Sequence, residues 1–529
     1  MEAKDQTYSL DKFTSQLSAH IWGHRFKDGQ RGPEYVLEFL NVLFGSDYSF
    51  SQDTYIRRKA VGLRKFVFEG VKEGSVRDVL VLHDHEKQKL LNAVQENNLY
   101  VLKQFLRNLE ITLYNTTGKE ADRSWFARTL YPLHESLLYF ELRKKGSELS
   151  IERNFFARGG ELYFLMLAYG TDNNLERRRF IESRFQELLK RNKVIEKVVN
   201  KISSAFEESE NTNGLIGRLR SDKKDENIPK LPDPEGNKEL FELFSKELEH
   251  LLHLDVDIYE MFHLLTSLIC FQLTRYMHER AFVSKENEHI YFCDCLEGNN
   301  KHITQLSALN FDEHENLIKV KFEYEFERKF KEALGDEEQI ERLLPSWREN
   351  PNDIIDILGL GQMRTRKDII IRTLQKCKNA KEVYSKFYSV VKDAVSDQLK
   401  KHQLNITRVL TRDGGFATFR RGSAANYRYT ISDTFLQMIV FTTVKPEEKM
   451  EYYEFLETIY RRYQIVIGEA QAKECGLYSK SNLNVRYFQE NEKALRNKLR
   501  QNGLLIEFSD ATAMIQNPYT SSMEAYSYA

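Results

Sequence analysis

Between His250 and His263 the chain gathers its densest set of metal-ligand side chains: His250, His253, Asp255, Asp257 and His263. Two histidines three residues apart share one face of a helix. Joined by a carboxylate, they can hold a divalent ion that activates water, which is the chemistry of a metal-dependent nuclease. The spacing lacks the H-E-x-x-H arrangement, and the same residues suit the polar end of a helix, which is the preferred reading. His83-Asp84-His85 places two imidazoles around a carboxylate but runs on into Glu86-Lys87-Gln88-Lys89 with no further ligand, so it reads as a polar first turn. Cys293-Asp294-Cys295 is too tightly spaced for a zinc knuckle and reads as a strand with two buried thiols. Neither a metal nor a cofactor is expected.

Other catalytic signatures are missing. The chain has no G-x-x-x-x-G-K-[ST] and no G-x-S-x-G. Gly159-Gly160 reads as a turn into a helix, and Gly359-Leu360-Gly361 follows a helix where a dinucleotide motif needs a strand. Ser423 stands in a glycine-bearing turn with no identifiable base. A non-enzyme is the more natural expectation.

The strongest local chemistry is cationic. Arg408, Arg412, Arg420, Arg421 and Arg428 have only Asp413 among them, and Phe416, Phe419, Tyr427 and Tyr429 are interleaved. A second set follows: Lys493, Arg496, Lys498 and Arg500, with Arg486 just ahead. Guanidinium and ammonium groups of this density suit a phosphate backbone, so these nine residues are the candidate contacts to double-stranded DNA. The plainer alternatives are a solvated hairpin or a face that meets a partner protein. A further basic and aromatic stretch, Tyr55 to Phe68, reads as a solvated helix face followed by a buried strand.

The elements that must position the cations are legible. Gly414-Gly415 is a turn, Phe416–Phe419 a strand, Arg420–Ser423 a second turn and Tyr427–Thr430 the return strand, which puts Arg420 and Arg421 at a tip. Ser432 is placed to cap a helix carrying Phe435, Leu436, Ile439 and Val440. A helix from Met450 closes in an extended Ile465–Gly468. A helix from Tyr487 to Asn502 stops at Gly503, and strands at Leu504–Phe508 and Ala513–Tyr519 flank a turn at Ser509-Asp510. Helix, strand, turn, strand predicts a winged-helix-like region over 404–529, with the Tyr487 helix as its recognition helix.

The rest predicts a mainly α, multidomain protein. Residues 1–206 read as a helical domain, including a helical Trp125–Leu142. Residues 207–237 lose periodicity, hold three prolines and read as a linker, with a small docked turn at Gly214–Leu219. Residues 238–403 read as a second helical domain with strands at Ile290–Phe292 and Ile318–Phe322 and a loop from Leu344 to Pro351. The 529 residues are 41% hydrophobic and 30% charged, with 9 prolines, which favours helices. Lys+Arg 78 against Asp+Glu 79 leaves a net charge of -1, so any nucleic-acid contact must be local. Five scattered cysteines, no apolar leader in MEAKDQTYSL and no membrane-length apolar run (Met261–Leu273 is too short) predict a cytoplasmic protein.

Three segments carry a resemblance: FFARGGELYFLML (155–167), FLETIYRRYQIVIG (455–468) and KALRNKLRQNGLLIEFSDATAMIQNPY (493–519). They resemble segments of accessory, non-catalytic components of bacterial anti-phage defence systems linked to DNA modification, either phosphorothioation-dependent restriction or methylation-associated defence. The resemblance implies a cytoplasmic subunit acting beside an ATPase, helicase or nuclease encoded in the same operon. It transfers no site residue. The alternatives are a pure protein–protein scaffold for such a partner and, third, the metal-dependent nuclease.

Overall fold

The computed structural model describes residues 17–23, 26, 29–44, 57–58, 61–70, 72–73, 76–79, 81–94, 96–112, 129–134, 137, 141–145, 148–152, 159–210, 215–216, 231–282, 289–358, 367–398, 403–419, 427–508 and 512–522. Over these residues the protein is mainly helical. Among them no helix is long and apolar enough to cross a membrane.

The architecture is set by one helix that is apolar on nearly every side, α5 (Ile258–Ala281). A helix of that kind must be covered all round. Six others pack on it: α1 (Gly32–Phe44), α2 (Gly159–Gly170), α4 (Lys238–Leu252), α6 (Lys301–Leu334), α7 (Leu404–Asp413) and α8 (Asp433–Thr443). Another helix, α3 (Leu175–Lys190), packs on α4. The apolar run Met261–Leu273 is thus the axis of the core. Asp257 starts α5 by accepting the Glu260 N–H at 3.0 Å. One apolar cluster runs from Leu17 to Ile515, so α2 and α4 share it although residues 207–237 lie between them. Gly160 lets α2 approach α1 at backbone distance: a Cβ there would stand 2.5 Å from the Tyr35 carbonyl oxygen and 2.6 Å from the Phe39 nitrogen.

Helix α6 (Lys301–Leu334) runs 34 residues, about 50 Å at helical rise. It replaces the strand expected at Ile318–Phe322. The alternation there is accidental. Ile318, Phe322, Phe326 and Phe330 recur every fourth residue and are buried, whereas Val320 is 58% exposed. The Leu344–Pro351 loop is also overturned. Pro345 lies inside a helix, Glu337–Glu349, because Ile340, Leu344 and Trp347 bury one face of it. Thr129–Leu130 and Glu141–Lys145 are strands rather than parts of a helix. They pair with Glu110–Ile111 and Glu148–Glu152, and these pairings supply the backbone partners. Phe66–Phe68 ends a helix, Val61–Phe68, instead of forming a strand. Leu215–Ile216 pairs as a strand with Arg57–Arg58.

In the C-terminal part β2 (Ala417–Phe419) and β3 (Tyr427–Tyr429) form the expected antiparallel hairpin, with Thr418 opposite Arg428. Tyr427 and Tyr429 lay it on Phe311 of α6, with ring centroids 5.4 and 4.9 Å away. Ser432 caps α8, accepting the Phe435 N–H at 3.2 Å. Then come β4 (Lys449–Glu451), which occupies the expected start of a helix, and α9 (Tyr452–Tyr463). Next are β5 (Ile465–Val466), α10 (Glu469–Glu474), α11 (Leu477–Ser481), α12 (Val485–Gln501), β6 (Leu505–Glu507) and β7 (Ala513–Gln516). The sheet order is β4-β7-β6, antiparallel throughout. Strand β1 (Tyr291–Phe292) pairs in parallel with β5, tying the middle of the chain to this part.

Candidate functional site

The predicted cations fall into two physical classes. In the first, the guanidinium or ammonium is committed inside the fold. Arg408 donates to both Glu315 oxygens, at 2.7 Å for the Nη2 bond, and lies over the Tyr427 ring. Arg412 and Arg31 share Asp413, at 2.8 and 3.1 Å. Asp413 also accepts the Gly32 N–H at 2.9 Å, so the one acid in this arginine-rich stretch anchors the start of α1. Lys498 bonds Glu297 at 2.9 Å and the Ile431 carbonyl at 2.6 Å. Arg428 bonds Asp294 at 3.0 Å.

Asp294 is the residue the sequence reading undervalued. Its carboxylate is fully buried. It accepts the Leu296 and Gly298 N–H groups at 2.9 and 3.1 Å, the Thr304 hydroxyl at 3.0 Å and Arg428 Nε. Flanking Cys293 and Cys295 are buried thiols, pushed up by desolvation. The signal that could have found it was the Asp-x-Leu-x-Gly turn, an aspartate poised to accept its own downstream amides.

The second class stands on the surface of α12. Phe488, Asn491, Leu495 and Leu499 face inward. Arg486, Gln489, Lys493, Arg496 and Arg500, spaced three and four residues apart, form the opposite stripe, and Arg486, Gln489, Lys493 and Arg500 are exposed. Arg496 and Arg500 both pair with Glu507 of β6, at 2.8 and 3.1 Å, and Arg486 pairs with Glu490 at 2.9 Å. Exposed pairs of this kind contribute about 0–1 kcal/mol, so a phosphate can replace the carboxylate at little cost. Arg420, Arg421 and Ser423 lie outside the described residues.

The suspected metal ligands have other roles. His250 Nδ1 is 3.1 Å from the Thr442 carbonyl, His253 stacks on Phe180 and Asp255 pairs with Arg191 at 2.9 Å. Asp257 caps α5, and His263 is exposed. At His83 the backbone N–H is capped by Glu86 at 2.8 Å, and its ring stacks on His85. Among the described residues no group of three or more His, Cys, Asp and Glu is arranged to hold a metal.

A histidine cluster appears instead where no local pattern announces one. His278 of α5, His289 ahead of β1 and His314 of α6 converge, with ring centroids 4.4 to 6.4 Å apart. His278 Nδ1 lies 2.8 Å from the Tyr291 hydroxyl, and His314 Nδ1 lies 2.6 Å from the Tyr429 hydroxyl. Burial holds all three neutral. His289 is lowered to about 4, with Arg275 adding repulsion, and His314 to about 3; His278 is also well below its usual value. The unfolded chain takes up protons on these imidazoles below about pH 6.5, while the folded chain does not, so their contribution to stability falls as pH falls. Each steepens the loss by about 1.4 kcal/mol per pH unit until its folded value is reached. Urea unfolding at pH 7 and pH 5 checks this: His314→Gln is expected to flatten the pH dependence, and an unchanged slope contradicts it.

His289 and His314 also line a cleft of about 530 Å3 between α6 and the α10–α11 pair. Comparison with family models, curated proteins and solved structures finds no match to this chain.

Proposed function

We propose that this protein is a DNA-contacting and assembly subunit without catalytic machinery of its own, of the defence-complex type that its three segments resemble. The observation that carries the reading is the C-terminal order α8-β4-α9-α12-β6-β7 with sheet order β4-β7-β6. This is the order of a winged helix, with β5, α10 and α11 inserted ahead of its third helix. In such a unit the third helix enters the major groove. Here that helix is α12, and its stripe from Arg486 to Arg500 spans about 21 Å. Lys493, Arg496 and Arg500 are the phosphate contacts of this reading, and Glu507 is the carboxylate that Arg496 and Arg500 leave. Arg428 and Lys498 serve the fold instead.

Paired substitution of Lys493→Ala and Arg500→Ala is expected to lower duplex affinity and to reduce the log–log salt slope by about two, with the unfolding temperature unchanged. An unchanged slope would sink the reading. A pure scaffold is favoured by a different observation. Several of the nine predicted cations are neutralised within the molecule, while Leu309, Val320 and Tyr324 of α6 stand 53 to 60% exposed. Under that reading the chain co-purifies with an operon-encoded ATPase, helicase or nuclease through high salt and nuclease treatment.

A further inference from the structure

We infer that the cleft between α6 and the α10–α11 pair is a binding site for a neutral heterocycle of nucleoside class. Its volume of about 530 Å3 lies within the range of small-ligand sites, about 300–1,000 Å3. Part of the wall is apolar, with Leu306, Leu309 and Leu317 on α6 and Leu477 and Leu483 from the far side. Among the polar lining groups His289 and His314 lie together, with ring centroids 6.0 Å apart. His289 and His314 are held neutral by burial; His289 offers one donor and one acceptor nitrogen, and His314, with Nδ1 engaged by the Tyr429 hydroxyl, offers Nε2. Asn310 is fixed by accepting the Phe292 N–H at 2.9 Å, which sets the orientation of its amide. The lining holds one lysine, Lys480, and one carboxylate, Glu313, so no net charge selects an anion.

A further lining side chain, His302, is stacked on Tyr487 of α12 at 4.8 Å and 22°, which fixes its imidazole plane. Apolar side chains beside two neutral imidazoles and an oriented amide match a planar base that carries both kinds of hydrogen-bonding edge. A hydrocarbon would leave those groups unpaired. The base can come from a free nucleoside or from a nucleotide turned out of a strand. Tyr487 lies in the first turn of the helix assigned above to DNA, which makes the second source geometrically direct. The cleft reading does not depend on duplex contact, because a free nucleoside needs none.

The test uses the full chain and the fluorescence of 2-aminopurine, supplied as the free riboside and as one unpaired residue in an oligonucleotide. Saturable quenching is expected with at least one probe. Leu309→Trp is expected to weaken it by roughly tenfold or more by filling the mouth, and His302→Ala is expected to weaken it by removing the ring that is held against Tyr487. Leu309 is already half exposed, so its substitution leaves the unfolding temperature in place. Quenching by the riboside identifies a free nucleoside as ligand, and quenching by the oligonucleotide alone identifies a base from a strand. No saturable quenching with either probe overturns the inference, as does quenching that both variants leave unchanged. Duplex affinity that persists in Leu309→Trp separates a failure here from a failure of the α12 reading.

Discussion

Replacing Glu247 with alanine is expected to cost about 3–5 kcal/mol of folding stability. Glu247 and Arg275 are 1% and 5% exposed and joined at 2.9 Å. Gln272 donates to the other carboxylate oxygen at 2.6 Å, and Tyr163 donates to Gln272 at 2.7 Å. The arginine lies 5.2 to 5.5 Å from the ring centres of Phe244, Phe271 and Tyr463 and donates to the Arg462 carbonyl. The network therefore joins α2, α4, α5 and α9. Removing the carboxylate leaves a guanidinium among aromatic rings with no anion. The cost is that of the stranded charge, not the worth of the pair. A double change to Glu247→Met and Arg275→Met is therefore expected to recover most of the loss. Urea unfolding measures both. A single variant within about 1 kcal/mol of the parent would contradict the network.

Asp294→Ala is the second. It strands Arg428, which is 11% exposed, and removes the acceptor of the Leu296 and Gly298 N–H groups and the Thr304 hydroxyl. A loss of about 3–5 kcal/mol is expected, and Asp294→Asn, which keeps an acceptor, is expected to lose less. Because β3 carries Arg428, the same bond seats the β2–β3 hairpin beside the residues just after β1. Arg428→Ala is accordingly expected to act on the unfolding midpoint. If it instead lowered duplex affinity with stability intact, its assignment to the fold would be wrong.

These two networks mark the boundary of what the sequence discloses. Local signals were legible: Ser432 capping α8, the pairing of β2 with β3, and α12 followed by Gly503 and two strands. Each is encoded within a few residues by caps, glycines and periodicity. Ile318–Phe322 misled because five residues of alternation also fit a helix, and only the continuation to Phe326 and Phe330 decides. The counter-ions were not legible at all. Arg408 meets Glu315, 93 residues away, and Lys498 meets Glu297, 201 residues away. A run of cations therefore reads as a phosphate surface until the fold brings its carboxylates. The convergence of His278, His289 and His314 is equally non-local, since two helices and a strand must pack before the rings meet.

Under the proposed function α12 presents a phosphate-contacting stripe in which Arg496 and Arg500 exchange Glu507 for phosphate. Salt-titrated binding of the full chain to modified and unmodified duplex DNA tests it most directly. Affinity is expected to weaken steeply as salt rises, with a shallower slope when Lys493 and Arg500 are removed and, for a sensor of modification, tighter binding to the modified duplex. No binding at low salt, or binding whose slope ignores both residues, would contradict it and leave the assembly role alone.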